Sequence, residues 1–252
     1  MHFEAFGHSV IGNISTDNED HFLVDPDHGL FIVADGVSTT PAGELASQMA
    51  VETVQKVLLD SEDPDETRLS RDIMDEEESL RERLRYAMGQ ACAILRQYGE
   101  LHREYRGMST TLTILMVEDD IAHFSHVGDS RLYLFRNGRI RRLTRDHTVV
   151  QKEVDAGRLS VELAKIAPSR HVLTQSIGSQ GAIEPVTSTR PVEEEDVFVL
   201  CTDGLTDVLE DGQIESLMQE HPVEELPYIL VDAAIEAGGQ DNISVIVVKA
   251  CD

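Results

Sequence analysis

The stretch IAHFSHVGDSRLYLFRNGRIRRLT (121–144) contains several strand-like runs and a tight turn, and it decides how the rest of the chain is interpreted. Asn137-Gly138 separates two runs in which apolar and polar residues alternate. This dipeptide favours a two-residue hairpin turn, because both of its residues tolerate positive φ. The sequence therefore predicts antiparallel β-sheet here, with further strands at 21–25, 29–35, 109–119, 182–190, 196–201 and 242–249.

Three other segments repeat their apolar residues with the period of an α-helix, at about 42–59, 79–103 and 222–237. Between the first two lies DSEDPDETRLSRDIMDEEE (60–78), whose ten acidic and two basic residues indicate a solvated loop joining two helices. The order of the elements predicts one α+β domain over 1–252. We expect a two-sheet antiparallel β-sandwich flanked by antiparallel helix pairs.

The composition excludes some partners. The chain has 252 residues, with 47 acidic against 21 basic side chains and a formal net charge of −26. Such a charge argues against nucleic acid and against an anionic membrane surface. The N-terminal pattern does not predict a signal peptide, no apolar run of this sequence reaches membrane-spanning length, and the three cysteines (Cys92, Cys201 and Cys251) fit reduced thiols. We expect a cytoplasmic protein that uses neither partner.

Acidic residues recur where apolar runs begin or end. Taken alone, an Asp-Gly pair at a strand end is usually only a turn. Several buried carboxylates together would repel one another without cations, whereas hard divalent cations bind them through oxygen. The recurrence therefore predicts a site for several metal ions, built from Glu19, Asp20, Asp35, Asp129, Asp203 and Asp241.

Seven blocks of the sequence, in chain order, resemble the metal-dependent Ser/Thr protein phosphatases of type 2C, in their bacterial form. The resemblance covers essentially the whole chain, and its most specific parts are VGDSRLY followed by LTRDHTVVQ, and TDGL followed by DNIS. The blocks are DNEDHFLVD (17–25), LFIVADG…AGELAS (30–47), MSTTLTILMV (108–117), HVGDSRLYLFRNGRIRRLTRDHTVVQ (126–151), VLTQSIGS (172–179), DVFVLCTDGLTDVL (196–209) and GGQDNISVIVV (238–248).

The resemblance implies a sandwich of two antiparallel sheets between helix pairs. It also implies hydrolysis of phosphoserine and phosphothreonine in proteins, with a water that bridges two Mn²⁺ or Mg²⁺ ions as nucleophile. A third, weaker ion is found in bacterial relatives. The expected partners are a phosphorylated protein substrate and the Ser/Thr kinase that the enzyme opposes in bacterial signalling, and we expect a monomer.

The resemblance also implies roles for single residues. Asp35 would bridge both ions, with the carbonyl of Gly36 beside it, and Asp203 and Asp241 would bind the first ion. These three aspartates are the expected catalytic residues. For the other positions, the resemblance implies that Glu19 and Asp20 serve the second ion, that Asp129 binds the third ion together with Asp203, that Asn242 supports the ligands, and that 147–170 forms a flap beside the site.

Two departures from the family pattern leave an alternative open. Ser15 stands where relatives carry an arginine that grips the substrate phosphate, and 37–40 reads Val-Ser-Thr-Thr instead of Met-Gly-Gly-His or similar. Losing a bidentate arginine should lower phosphate affinity. The alternatives are a metal-binding pseudophosphatase or regulatory module, and a specialised phosphatase for one small regulatory protein.

Basic and imidazole side chains near the motifs have two interpretations each. Arg131 either meets substrate or ties down neighbouring carboxylates, and we favour the second. His147 either passes a proton to the leaving group or serves in capping and packing, which we favour. Six arginines within 131–145 form either a docking strip for an acidic partner or a solvated hairpin face, and we favour the latter.

Overall fold

Two antiparallel sheets form the centre of the structure, a computed structural model that describes residues 1–13, 16–37, 42–59 and 76–252. The first sheet has the order β1-β11-β10-β7-β8; the second has the order β2-β3-β5-β6-β9, with β4 beside β3. The strands are β1 (His2–Val10), β2 (Asp20–Asp25), β3 (Leu30–Val37), β4 (Ser109–Thr110), β5 (Leu112–Glu118), β6 (Ile121–Val127), β7 (Arg131–Arg136), β8 (Arg139–Arg142), β9 (Val186–Pro191), β10 (Val197–Cys201) and β11 (Ile243–Cys251).

The hairpin predicted from Asn137-Gly138 is confirmed. Arg136 pairs with Arg139 across the turn, and both turn residues have positive φ, 54° at Asn137 and 73° at Gly138. This backbone twist matches the right-handed twist of the strands that the turn joins.

The two sheets pack face to face through alternate residues of their strands. Phe31 and Phe124 of the second sheet belong to one buried cluster with Phe198, Leu200 and Ile246 of the first. Since side chains alternate between the faces of a strand, the residues in between point outward. These outward residues are also apolar, which requires a covering layer on each outer face.

Helices supply both covering layers, so the predicted fold class is confirmed. Helices α1 and α2 pack on the second sheet through residues such as Ala46 and Leu84, whereas α6 and α7 pack on the first through Ile214 and Leu230. The helices are α1 (Ala42–Leu59), α2 (Glu76–Leu101), α3 (Val149–Asp155), α4 (Val161–Ile166), α5 (Asp203–Thr206), α6 (Asp211–Glu220) and α7 (Leu226–Glu236), with a 3₁₀ turn at Arg103–Tyr105.

Several elements differ from the sequence-based expectation. Strand β1 and helix α6 were not predicted, and the expected flap contains two short helices, α3 and α4. Most of the expected acidic loop, 60–75, lies outside the described residues, and residues 76–78 already belong to α2. The predicted loop extends too far because residues 76–78 are glutamates, which are good helix formers in spite of their charge.

Most arginines of 131–145 form ion pairs with acidic side chains of the same chain. Arg131 and Arg142 bind Asp146, Arg136 binds Asp196, and Arg139 binds Glu215. Arg145 pairs with Asp155. These ion pairs favour the solvated-face interpretation over a docking strip.

In the described part of the chain, no helix combines the length and the apolar character needed to cross a membrane.

Replacing Phe198 tests the packing between the sheets. Its side chain is fully buried in the cluster that joins them. We expect Phe198→Ala to lower the free energy of unfolding by about 3–5 kcal/mol, because a large cavity remains. Urea unfolding followed by circular dichroism measures this change. Tyr86→Ala, at a side chain that is 61% exposed, is the control and should stay within about 0.5 kcal/mol. A Phe198→Ala loss as small as that of the control would contradict the packing.

Candidate metal centre

An open cavity of about 690 Å³ lies at one end of the two sheets, and most of the predicted metal ligands line it. The cavity takes residues from the start of β2, the end of β3, the turn after β6, helix α5 and the loop before β11. Its lining includes Glu19, Asp35, Gly36, Asp129, Asp203 and Asp241. The fold thus brings together acidic residues that are up to 222 positions apart in the chain, from Glu19 to Asp241.

Strand pairing places the first acidic residues. Asp20 pairs with Asp35 across β2 and β3, and the N–H of Gly36 donates to the carbonyl of Glu19 at 3.1 Å. Helix α1 begins against this point: a Cβ on Gly36 would lie 2.3 Å from the carbonyl oxygen of Gly43, and a Cβ on Gly43 would lie 2.6 Å from the Glu19 carboxyl. Only glycine fits at both positions, and this close approach fixes Glu19 beside Asp35.

Two threonines hold the backbone of Asp35. Its N–H donates to Thr111 Oγ1 at 2.9 Å, and its carbonyl accepts from the N–H of Thr111 at 2.8 Å and from Thr110 Oγ1 at 2.7 Å. These bonds fix the backbone of Asp35 and do not involve its carboxylate, which remains available to the cavity.

Asp20 lies beneath the cavity and is 7% exposed. Its Oδ2 accepts hydrogen bonds from Thr202 Oγ1 at 2.8 Å and from Ser244 Oγ at 2.7 Å. Its Oδ1 is buried without a hydrogen-bond partner among the described residues. Burial raises the pKa of Asp20 to about 7, and the charges of Asp203 and Asp241 add to the shift although the two hydroxyls oppose it.

Other carboxylates of the cavity also have raised pKa values. Burial raises the pKa values of Asp35 and Asp129 well above the usual range, and the charge of Asp203 is the next cause for both. Burial and Asp203 likewise raise the pKa of Asp241. Asp203 itself has one buried oxygen, Oδ1, that is unpaired within the described ranges. Buried carboxylates with free oxygens and mutual repulsion fit hard divalent cations, which prefer oxygen ligands.

Asn242 connects the two chain segments that carry Glu19 and Asp241. Its Oδ1 accepts from the N–H of Glu19 at 2.8 Å, and its Nδ2 donates to the carbonyl of Asp17 at 3.0 Å. Its own N–H donates to Asp241 Oδ1 at 2.8 Å. The side chain therefore positions acidic residues and is 4% exposed.

Arg131 and His147 are held within the fold. Arg131 donates to Asp146 through Nε at 3.2 Å and Nη2 at 2.9 Å, and it lines a neighbouring cavity of about 420 Å³. His147 Nδ1 accepts from the N–H of Gly128 at 3.2 Å, and its ring centroid lies 4.8 Å from that of His126. Burial lowers the pKa of His147, which suits a neutral acceptor. Ser15 and residues 38–41 lie outside the described residues.

Three ionisable residues of the cavity lining were not predicted as site residues. His171 places Nδ1 at 3.5 Å from Asp203 Oδ2 and Nε2 at 3.4 Å from Asp207 Oδ2, and Arg170 lines the cavity beside it. The hydrogen bond to Asp203 raises the pKa of His171, and burial raises that of Asp207 to about 6. One signal for Asp207 was available: it follows Asp203 by four positions, one helical turn.

A known protein family matches most of the chain. The family described as "Protein phosphatase 2C" matches residues 7–226. The chain belongs to the protein phosphatase 2C family. This confirms the resemblance found in the sequence motifs.

Curated relatives agree with this membership. The chain is 32% identical to the protein phosphatase PhpP of Streptococcus pneumoniae over 243 residues, which cover 95% of this chain and 94% of that protein. It is 31% identical to the serine/threonine protein phosphatase PstP of Mycobacterium tuberculosis, over 96% of this chain and 44% of that longer protein.

Solved structures extend the likeness to three dimensions. The M. tuberculosis PstP/Ppp crystal structure matches with a TM-score of 0.87 at 29% identity, covering both chains completely. The catalytic domain of PstP in complex with two manganese ions matches with a TM-score of 0.83 at 28% identity, over 100% of this chain and 99% of that one.

The buried carboxylates should make the metal-free protein sensitive to pH. Because the folded-state pKa of Asp20 is raised from 3.8 to about 7, its neutral form contributes stability below about pH 4 that is lost as the pH rises towards 7. In chelator, we expect Asp20→Asn to raise the melting temperature above that of the wild type at pH 7.5, with a smaller difference at pH 4. Differential scanning calorimetry measures both.

The exposed Asp232→Asn serves as the control for this prediction and should behave as the wild type at both pH values. Mn²⁺ at pH 7.5 should raise the melting temperature of the wild type more than that of Asp20→Asn, since ligand binding to the folded state stabilises it. A wild type that is indifferent to both Mn²⁺ and chelator would contradict the clustered site.

Proposed function

We propose that this protein hydrolyses phosphoserine and phosphothreonine in proteins with the help of two Mn²⁺ or Mg²⁺ ions, and that it opposes a Ser/Thr kinase in bacterial signalling. The observation that carries the proposal is the convergence of Asp35, Asp129, Asp203 and Asp241 on one open cavity. Family membership and the manganese in the PstP relative support the choice of reaction and cofactor.

The residues that would hold the ions follow from the family pattern. Asp35 would hold both ions, with the carbonyl of Gly36 beside it, and Asp203 and Asp241 would hold the first. Glu19 and Asp20 would serve the second, and Asp129 with Asp203 would serve a third, weaker ion. When bound, the ions lower the pKa of a water molecule and offset negative charge on the phosphoryl oxygens.

The chain's own contribution is to hold these ligands ready. Thr202 and Ser244 occupy one oxygen of the Asp20 carboxylate and leave the other free. Asn242 keeps Glu19 and Asp241 together. Ligands that are fixed before the reaction need no reorganisation during it, which is the main source of electrostatic catalysis.

Arg170 and His171 are the cationic side chains among the described residues that line the cavity. We propose that Arg170, an exposed residue of the cavity rim, binds the substrate phosphate and compensates for Ser15. Arginine suits this role because its planar fork matches phosphate oxygens. The segment 147–170, with helices α3 and α4, then acts as the flap that brings Arg170 to the substrate.

The pseudophosphatase alternative is less well supported. A pseudophosphatase is expected to have lost ligands, whereas each acidic position of the family pattern is filled here and five of the six line the cavity. The similar curated proteins also carry phosphatase names. We further propose that residues 1–252 form one domain, and that the protein acts as a cytoplasmic monomer on phosphoprotein substrates.

Carboxylate variants test the enzyme. Release of nitrophenol from p-nitrophenyl phosphate in Mn²⁺ should fall more than about a hundredfold in Asp35→Asn and Asp203→Asn, because the stabilisation of transition-state charge is lost. The exposed Asp232→Asn should keep wild-type activity. Wild-type turnover no higher than that of the two cavity variants would overturn the enzyme in favour of a binding module. A phosphothreonine peptide then tests the substrate class.

The role of Arg170 is tested separately. Arg170→Gln should raise KM for p-nitrophenyl phosphate by roughly tenfold or more, because a charge-assisted hydrogen bond contributes about 1.5–3 kcal/mol. The change in kcat should be smaller, since the carboxylates remain. Arg103→Gln, an exposed arginine of the 3₁₀ turn, is the matched control. An unchanged KM in Arg170→Gln would show that the phosphate is bound without this residue.

A further inference from the structure

A second group of ligand-type side chains lies at the opposite end of the first sheet. His2 and Glu4 of β1 and Cys251 of β11 offer a ring nitrogen, a carboxylate oxygen and a thiol sulfur that all lie within 4.8 Å of one another. Asp241 precedes the start of β11 and Cys251 ends it. A nine-residue strand spans about 30 Å, so this group is remote from the metal centre.

The register of the two strands puts the three donors on one face. His2 pairs with Cys251 and Glu4 pairs with Lys249, in an antiparallel ladder. Alternate residues of β11, such as Ile246 and Val248, point between the sheets, whereas Val245 and Val247 meet α6 and α7 on the outer face. By the same alternation, Lys249 and Cys251 continue the outer face. That face is apolar where helices cover it and carries donors where the cover ends.

The surroundings of Cys251 favour a cation. The negative charges of Glu4 and Glu195 contribute to the raised pKa of its thiol, after burial as the larger cause. The nearby Lys249 is engaged, because its Nζ lies 2.8 Å from Glu195 Oε2. Cys92 and Cys201 are buried, and Cys251 is the partly exposed cysteine of the chain.

The ring of His2 is also held in place. Its Nδ1 lies 2.5 Å from the backbone oxygen of Asp252. When Nδ1–H donates this bond, Nε2 carries the lone pair. Histidines that bind metals are commonly oriented by such a bond from the other ring nitrogen to a carbonyl.

We propose that His2, Glu4 and Cys251 form a site for a borderline transition-metal ion such as Zn²⁺, separate from the carboxylate cavity. Nitrogen, sulfur and oxygen ligands together suit Zn²⁺ and its probe Co²⁺, whereas Mg²⁺ avoids thiolate. Three protein ligands leave one tetrahedral position for water. A bound ion would join β1 and β11, neighbours in the sheet that are the first and last strands in chain order, and would stabilise their pairing.

Cobalt provides the test, because a thiolate ligand gives Co²⁺ a charge-transfer band in the near ultraviolet and carboxylates do not. Co²⁺ is titrated into the protein in excess Mg²⁺, which should occupy the carboxylate cavity. The wild type should develop the band with one Co²⁺ per chain, and Cys251→Ser should lack it. His2→Gln and Glu4→Gln should each weaken Co²⁺ binding at least about tenfold, since loss of even an indirect supporting group costs this much.

His8→Gln, on the same strand, is the control and should retain the band. A band that persists in Cys251→Ser, or a Co²⁺ affinity that is unchanged in His2→Gln and Glu4→Gln, would overturn the three-residue site. A second measurement needs no variant. Zn²⁺ in excess Mg²⁺ should slow the modification of Cys251 by Ellman's reagent at least about tenfold, the same threshold as that used above for the affinity of the ligand variants. An unchanged modification rate would count against the site. Both readouts are independent of phosphatase activity.

Discussion

Mutual repulsion among buried carboxylates is the constraint around which this molecule is built. Asp20 and Asp129 are buried and Asp35 is half-buried, and burial together with the charge of Asp203 raises the pKa of each. Isolated charges in such surroundings are strongly unfavourable. The arrangement therefore makes sense only if cations or protons share the cavity, and the fold must provide enough stability elsewhere to tolerate the metal-free state.

The sandwich provides that stability without interfering with the site. Its apolar cluster between the sheets and its two helix layers hold the strands rigidly, while the polar residues gather at one end. A belt of hydroxyls, Thr110, Thr111, Thr202 and Ser244, lies between the core and the carboxylates. These hydroxyls satisfy the backbone of Asp35 and one oxygen of Asp20, so that rigidity passes from the core to the ligands.

The elements that the sequence predicts well are those whose local pattern agrees with their surroundings. The hairpin at Asn137-Gly138 and helix α1 were predicted because turn chemistry and periodicity coincide with burial there. Strand β1 was missed because HFEAFGHSV mixes polar residues and a glycine into a strand that is only partly buried. Its pairing with β11, formed across almost the whole chain, supplies what its own pattern lacks.

The same distinction holds at the site. The aspartates next to apolar strands could be predicted to converge, because strand ends of both sheets meet at one end of the sandwich. His171 follows no strand, and it reaches Asp203 only because the segment after α4 folds back over α5. Which side chain such a segment delivers depends on tertiary packing, and no local periodicity records it. Asp207 is the intermediate case, since its helical spacing from Asp203 was visible although its burial was not.

Most arginines near the cavity pair with carboxylates outside it, so the cavity stays negatively charged. Arg131 and Arg142 form ion pairs with Asp146, and Arg136 forms one with Asp196. These arginines therefore do not offset the charge of the cavity carboxylates. The cavity therefore keeps a negative field that attracts cations and repels a phosphate dianion. Under the proposed function, phosphate affinity then depends on prior metal binding, with Arg170 contributing only at the rim. The charges thus favour metal binding before phosphate binding. Without metal, the protein would bind phosphate poorly and would also be a poor catalyst.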